Sequence, residues 1–176
     1  MPDAVTIRSA TAEDAAIIAD IHSKSWQSAY RDLMSDDFLI NEIPDIKLEH
    51  WKGVFHKSPC KKVVLLAFFQ DQAIGFIAIY LDHYKNYDGY IDNIHILPNI
   101  KGQGMGQKLM SVAATELLKL DKTSLALVVF TDNDGAIGFY QKLGGEIVGE
   151  TSEMFGGKDL PEYIIAWKDA SVILDS

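Results

Sequence analysis

The run Lys101-Gly102-Gln103-Gly104-Met105-Gly106 constrains this chain more than any other feature, because it sits between an apolar stretch closed by Pro98 and a strongly amphipathic one. Glycines at 102, 104 and 106 let main-chain N–H groups converge without Cβ atoms in the way. A helix opening directly behind them adds roughly half a positive charge at its N-terminus, so the combination is built to cradle a phosphate. Leu109, Met110, Val112, Ala113, Leu117 and Leu120 follow at helical spacing, which predicts a helix from the glycine run through Leu120.

Spacing narrows the kind of phosphate ligand. A nucleoside-triphosphate loop needs four residues between its glycines and a hydroxyl after the lysine, whereas Lys108 is followed by Leu109. The dinucleotide fingerprint needs a third glycine where Gln107 stands, and Leu125 to Phe130 offers no acidic strand end for a ribose. Both are disfavoured.

The rest of the chain supplies an α/β frame. Val5 to Arg8 alternates as a short strand, and Thr11-Ala12-Glu13-Asp14 has the form of a capping box. The helix it opens has Ile17, Ile18, Ile21, Trp26, Ala29, Tyr30 and Leu33 on its apolar side. A second helix is predicted over Asp45 to Phe55 after Pro44, packing Ile46, Leu48, Trp51 and Phe55. Lys62 to Phe69 and Ile74 to Leu81 read as a hairpin turning at Asp71-Gln72. A polar loop is expected over Asp82 to Asp88, then a fourth strand over Tyr90 to Leu97. Ser124 to Phe130 reads as a buried strand, Asn133 to Leu143 as a short helix stopped by Gly144-Gly145. Ile147-Val148 and Tyr163 to Trp167 form a terminal hairpin across Phe155-Gly156-Gly157-Lys158.

At this point the chain resembles the GNAT superfamily of N-acetyltransferases, whose pyrophosphate loop reads Gln/Arg-x-x-Gly-x-Gly/Ala after a strand ending in Pro. Ile96-Leu97-Pro98 followed by Lys101 to Gly106 is similar to it, with Lys101 in place of Gln or Arg. Asn133, Ala136 and Phe139-Tyr140-Gln141-Lys142-Leu143-Gly144 resemble a second family segment, with Gly145 where Phe is usual. Ser25-Trp26-Gln27-Ser28-Ala29-Tyr30 resembles a subgroup that carries Ser-Trp-x-x-Ala-Tyr, and the likeness runs from about Val5 to Trp167. It implies a GNAT fold: a mixed, mostly antiparallel sheet splayed between strands four and five and flanked by helices. It also implies acetyl transfer from acetyl-coenzyme A directly to a primary amine of a small molecule or peptide.

The resemblance assigns roles residue by residue. Main-chain groups of Ile94, His95 and Ile96, at a bulge, would meet the cofactor's pantetheine arm, and Lys101, Gly102, Gln103, Gly104, Met105, Gly106 and Gln107 its pyrophosphate. Tyr140 matches the family tyrosine that gives a proton to the departing thiolate, or else packs in the core. Asn133 either meets the pantetheine or caps its helix. From the sequence pattern itself, Asp92 is the only carboxylate within strand four; it is a candidate to take the amine proton through water, or it pairs with a nearby cation. Trp26 and Tyr30 lie four apart on one helical side, as an acceptor wall or as ordinary core. A module that binds acyl-coenzyme A without catalysis is the alternative.

Composition sets the outer limits. With 176 residues, 48% apolar and 23% charged, the chain is expected to make one packed domain over 1–176. A net charge of −9 disfavours nucleic acid and suits a cationic acceptor in a locally negative cleft. No apolar run is long enough for a membrane span and no leader pattern opens the chain, so a soluble cytoplasmic protein is expected. The five histidines show no ligand pairing, so no metal is expected, and the lone Cys60 is an incidental loop thiol. The terminal strand is a candidate for pairing across a homodimer.

Overall fold

The computed structural model describes residues 5–32, 34–56, 61–155 and 157–175. The expectations placed on Leu33, Cys60 and Gly156 lie outside the described residues. The elements run β1 (Thr6–Ser9), α1 (Ala15–Ala29), α2 (Ile43–His56), β2 (Lys62–Phe69), β3 (Gln72–Tyr84), β4 (Tyr87–Ile96), α3 (Met105–Lys119), β5 (Leu125–Phe130), α4 (Asp134–Lys142), β6 (Glu146–Phe155) and β7 (Lys158–Trp167). The strands form one mixed sheet in the order β1-β2-β3-β4-β5-β7-β6. β4 and β5 are parallel, and β1 with β2, β5 with β7 and β6 with β7 are antiparallel.

The residues fall into two compact units. The first comprises residues 1–78 and 93–110, the second residues 79–92 and 111–176. β3, β4 and α3 pass through both.

In the first unit Ile18, Ile21, Trp51, Leu66, Phe76 and Leu97 are core. The start of α1 follows the sequence reading: the Asp14 carboxylate accepts the Thr11 N–H at 2.8 Å and is gripped by both Arg8 guanidinium nitrogens at 2.8 Å. The buried face of α1 differs from the expected one. It passes through His22 and Ser25 and leaves Ile17 and Ala29 exposed, because both polar side chains find hydrogen-bond partners inside this unit. In α2 Ile46, expected to pack, is exposed, and Ile43 is buried at the helix start. Gln70 and Asp71 both adopt positive φ, which gives β2 and β3 the tight hairpin turn whose twist matches the strands.

In the second unit the expected loop over Asp82 to Asp88 is a sharp turn. β3 runs on to Tyr84 and β4 begins at Tyr87, with the Tyr84 and Tyr90 rings stacked 4.5 Å apart. Leu120 lies just past the end of α3 and is exposed. β4 and β5 share only two register pairs, Gly89↔Leu125 and Tyr90↔Ala126, whereas β5 stays paired with β7 as far as Phe130↔Glu162. The expected splay is this early end of the pairing.

α4 ends as its sequence dictates. The Gly145 N–H bonds the Tyr140 carbonyl and the Gly144 N–H the Gln141 carbonyl, both at 3.0 Å, with Gly144 at φ +84°. Gly145, where the family pattern has Phe, has no room for a side chain. A Cβ there would come within 2.8 Å of Trp167 Cζ2 and 2.9 Å of the Tyr140 carbonyl oxygen. Trp167 fills that volume, and its indole N–H donates to the Leu143 carbonyl at 2.9 Å. Gly145→Ala is therefore expected to destabilise the protein by about 1–3 kcal/mol, the usual cost of overpacking. A thermal melt with an unshifted midpoint would contradict this packing.

Candidate acetyl-transfer site

The first unit carries the glycine run. Gly102 and Gly104 adopt φ of +82° and +78°, and a Cβ at either would meet nothing within 4 Å. Glycine is needed here for its backbone conformation, which side-chain-bearing residues rarely take, and the space above the loop stays open. The first helical bond of α3 runs from the Lys108 N–H to the Gly104 carbonyl at 3.1 Å. The N–H groups of Met105 and Gly106 lie ahead of it, outside the helical ladder, so they suit an anion. Lys101, Gly102, Gln103 and Gly104 are all exposed. The positive φ values at Gly102 and Gly104 are the backbone freedom that the glycine spacing predicts.

Close to it in sequence is a polar cluster that the sequence reading missed. His95 on β4 stacks on His22 of α1, with ring centroids 4.4 Å apart, and its Nδ1 shares a hydrogen bond of 2.9 Å with the Ser25 hydroxyl. The Trp51 indole N–H donates to His22 Nδ1 at 3.0 Å. An indole nitrogen only donates, so His22 Nδ1 holds a lone pair and its proton is on Nε2. Burial, helped by His95 and Lys47, pushes His22 down to about 2; burial, helped by Lys47 and Lys101, pushes His95 down to about 3. Both rings are neutral at physiological pH. The pairing was not legible because His22 and Ser25 read as interruptions in a helical stripe, while His95 drew attention only for its main chain.

Trp26 and Tyr30 are half-buried, with ring centroids 4.7 Å apart, and the Lys47 ammonium lies 3.5 Å from the Trp26 ring centroid. The main chain of β4 runs close to β3 here: a Cβ on Gly75 would lie 2.8 Å from the His95 carbonyl oxygen. Ile96 is buried, and Ile94 and His95 are half-buried.

The second unit carries Asn133, Tyr140 and Asp92. Asn133 caps α4, its side-chain oxygen accepting the Ala136 N–H at 3.1 Å, which leaves its amide hydrogens as donors. Tyr140 is buried beside Phe139 and Trp167, with centroids at 5.2 and 6.1 Å. Among the described residues no hydrogen-bond partner meets its hydroxyl, and burial pushes the phenol up to about 12, so it holds its proton at any ordinary pH. Asp92 is exposed on β4, and its charge helps to raise the Tyr90 phenol, an effect due mainly to burial.

The profile of the acetyltransferase (GNAT) family matches residues 17–145. The chain belongs to that family. As a member it is an acetyl-coenzyme A-dependent N-acetyltransferase with the GNAT fold. It is 27% identical to the uncharacterized N-acetyltransferase YuaI of Bacillus subtilis over 171 residues, 96% of each chain. It is 30% identical to the peptidyl-lysine N-acetyltransferase YjaB of Salmonella typhimurium over 92 residues, 52% of this chain and 55% of that one. The crystal structure of PaiA N-acetyltransferase from Thermoplasma acidophilum in complex with coenzyme A shares the fold, with a TM-score of 0.67 at 21% identity over 91% of this chain and 98% of that one. Among the described residues no helix is long and apolar enough to cross a membrane.

The neutral histidines make stability depend on pH. Their folded pKa values lie below the ordinary 6.5, so below that pH the unfolded chain binds protons that the folded one refuses. Stability is complete above 6.5 and drains as pH falls toward the folded values, by up to about 1.4 kcal/mol per pH unit for each ring. His22→Asn, whose side-chain oxygen can still accept the Trp51 N–H, is expected to flatten the fall in melting temperature between about pH 6 and about pH 4. An unchanged slope would show that His22 titrates normally.

Proposed function

We propose that the protein moves the acetyl group of acetyl-coenzyme A directly to a primary amine on a small molecule or a peptide. The observation that carries this reading is the open glycine loop, with Gly102 and Gly104 at positive φ, directly ahead of the first turn of α3. Its chemistry fits a pyrophosphate, since the donors are main-chain N–H groups and the helix end favours an anion. Lys101 to Gln107 hold that group, and Asn133 with the main chain of Ile94, His95 and Ile96 holds the pantetheine arm. Bound there, acetyl-coenzyme A supplies an activated acyl group as a thioester.

Tyr140 gives its proton to the sulfur as the thiolate leaves. A phenol pushed up to about 12 is protonated at working pH, and as a weaker acid than a thiol it gives its proton to the sulfur only in step with taking the proton that the acylated nitrogen sheds. Asp92, exposed to water on β4, relays the proton lost by the acceptor amine. Trp26 and Tyr30 form a wall of the acceptor site. The name of the Salmonella relative supports a lysine side chain as one class of acceptor.

Tyr140→Phe keeps the ring and removes the proton, so kcat is expected to fall by about 10²-fold or more with acetyl-coenzyme A affinity retained. Thiol release monitored over a panel of amines and lysine peptides makes the measurement. Undiminished turnover would remove Tyr140 from the chemistry, and wild-type binding of acetyl-coenzyme A with no thiol release for any acceptor would leave a binding module.

A further inference from the structure

Charge in the first unit is arranged against the sign of the whole chain. Asp and Glu number 25 against 16 Lys and Arg, yet the charged or titratable groups that act on the His22 and His95 rings are all basic. Lys47 acts on both rings, His50 on His22 and Lys101 on His95. The carboxylates nearest them along α1 and α2 are committed elsewhere, Asp20 to Lys24 at 2.7 Å and Glu49 to Lys52 at 2.9 Å.

Geometry brings these groups together. Lys47 is half-buried on α2, and its ammonium stands 3.5 Å from the Trp26 ring centroid on α1. The indole face attracts the cation, so the charge is held at one place instead of sweeping through water on its four-carbon stem. Trp26 faces Tyr30 at 4.7 Å and His22 at 6.1 Å, and His22 stacks on His95 at 4.4 Å. All five residues belong to the first unit, which also carries the glycine loop and the main chain of Ile94 to Ile96. His95 adds a neutral donor. The Ser25 hydroxyl is buried and bonds His95 Nδ1 at 2.9 Å; a buried hydroxyl gives its proton to an acceptor in reach, so the ring proton is on Nε2. Among the described residues no buried side-chain nitrogen lacks a partner, and Ser25 meets Nδ1, so Nε2 of this half-buried ring lies at solvent. A fixed ammonium, a neutral N–H and two aromatic rings make a receptor for a small organic anion.

We propose that the acceptor carries a carboxylate beside its primary amine, as a free amino acid does, and that Lys47 with the His95 Nε2–H receives this carboxylate against the Trp26 and Tyr30 rings. This rests on the acetyltransferase reading. The Lys47 ammonium gives the carboxylate a charge-assisted hydrogen bond, and the two rings cover the apolar atoms of the acceptor. The amine is then directed at the main chain of Ile94 to Ile96, where the thioester arm is proposed to run. The sign of this wall is opposite to the one that the net charge alone suggests, because the carboxylates that set the net charge do not act on it.

Thiol release is measured with a panel of free amino acids, each paired with its carboxamide, which keeps the amine and removes the charge. Wild-type kcat/KM is expected to favour the amino acid by about 10-fold to 10²-fold, the usual loss when a charge-assisted hydrogen bond is removed. Lys47→Met keeps the apolar stem and removes the ammonium, so the ratio of amino acid to carboxamide should fall to about one, with the change in KM. Lys47→Glu should turn the preference toward diamines. With coenzyme A bound, the Trp26 indole N–H resonance should shift on titration with the amino acid and stay in place with the carboxamide. A merely structural Lys47 would lower the melting temperature and slow both acceptors alike. Equal wild-type kcat/KM for the two series, a preference that survives Lys47→Met, or acetylation confined to lysine peptides without a free carboxylate overturns this inference and leaves the transferase reading standing. A wild-type protein that binds acetyl-coenzyme A and acetylates no amine overturns both.

Discussion

The second unit is organised by one carboxylate, Asp88 at the start of β4. Its Oδ2 accepts the Thr123 and Ser124 N–H groups at 2.8 and 2.9 Å and the Ser124 hydroxyl at 3.0 Å, while the Asp88 and Gly89 N–H groups return bonds to Ser124 at 2.9 and 3.0 Å. These bonds hold the carboxyl below its usual range. They also tie the entry of β5 to β4 beside the two register pairs that join these strands. A parallel pair clamped at one end and open at the other is the kind of switch point where α/β proteins take their ligands. The acids of the second unit lie next to that opening along the chain: Asp92 two residues past Tyr90, and Glu162 opposite the last residue of β5.

The chemistry follows from what burial does to ordinary side chains. The Tyr140 phenol is pushed up to about 12 by burial, and the Glu162 carboxyl is raised by burial and then by Glu153. The first unit contributes a different device, a loop whose main chain is left clear of Cβ atoms by glycines at positive φ. A binding mode proposed to use main-chain N–H groups places little demand on the side chain at Lys101, where the family pattern has Gln or Arg.

Legibility in the sequence divided along the line between local and tertiary causes. The glycine loop, α3, the Asn133 cap and the glycine stop of α4 were readable because each depends on residues within a few positions of one another. The extent of β3 and β4 was not: the polar composition of Asp82 to Asp88 suggests a loop, yet Tyr84 and Tyr90 stack across the turn and Asp88 is committed to β5. The His22–Ser25–His95 cluster was missed for a physical reason. A buried polar residue looks like a surface residue until its surroundings are known, and those surroundings come from strands and helices distant in sequence. Asp92 stood out as the one acid of a strand read as starting at Tyr90, but β4 begins at Tyr87 and contains Asp88 as well.

The central claim is that the donor is held by the main chain at the start of α3. Backbone amide resonances followed by nuclear magnetic resonance during titration with coenzyme A test it most directly. The account predicts the largest shifts at Gly104, Met105, Gly106 and Gln107, with little change when pantetheine, which lacks the pyrophosphate, replaces coenzyme A. Saturable binding of coenzyme A that leaves those four amides unmoved would contradict it.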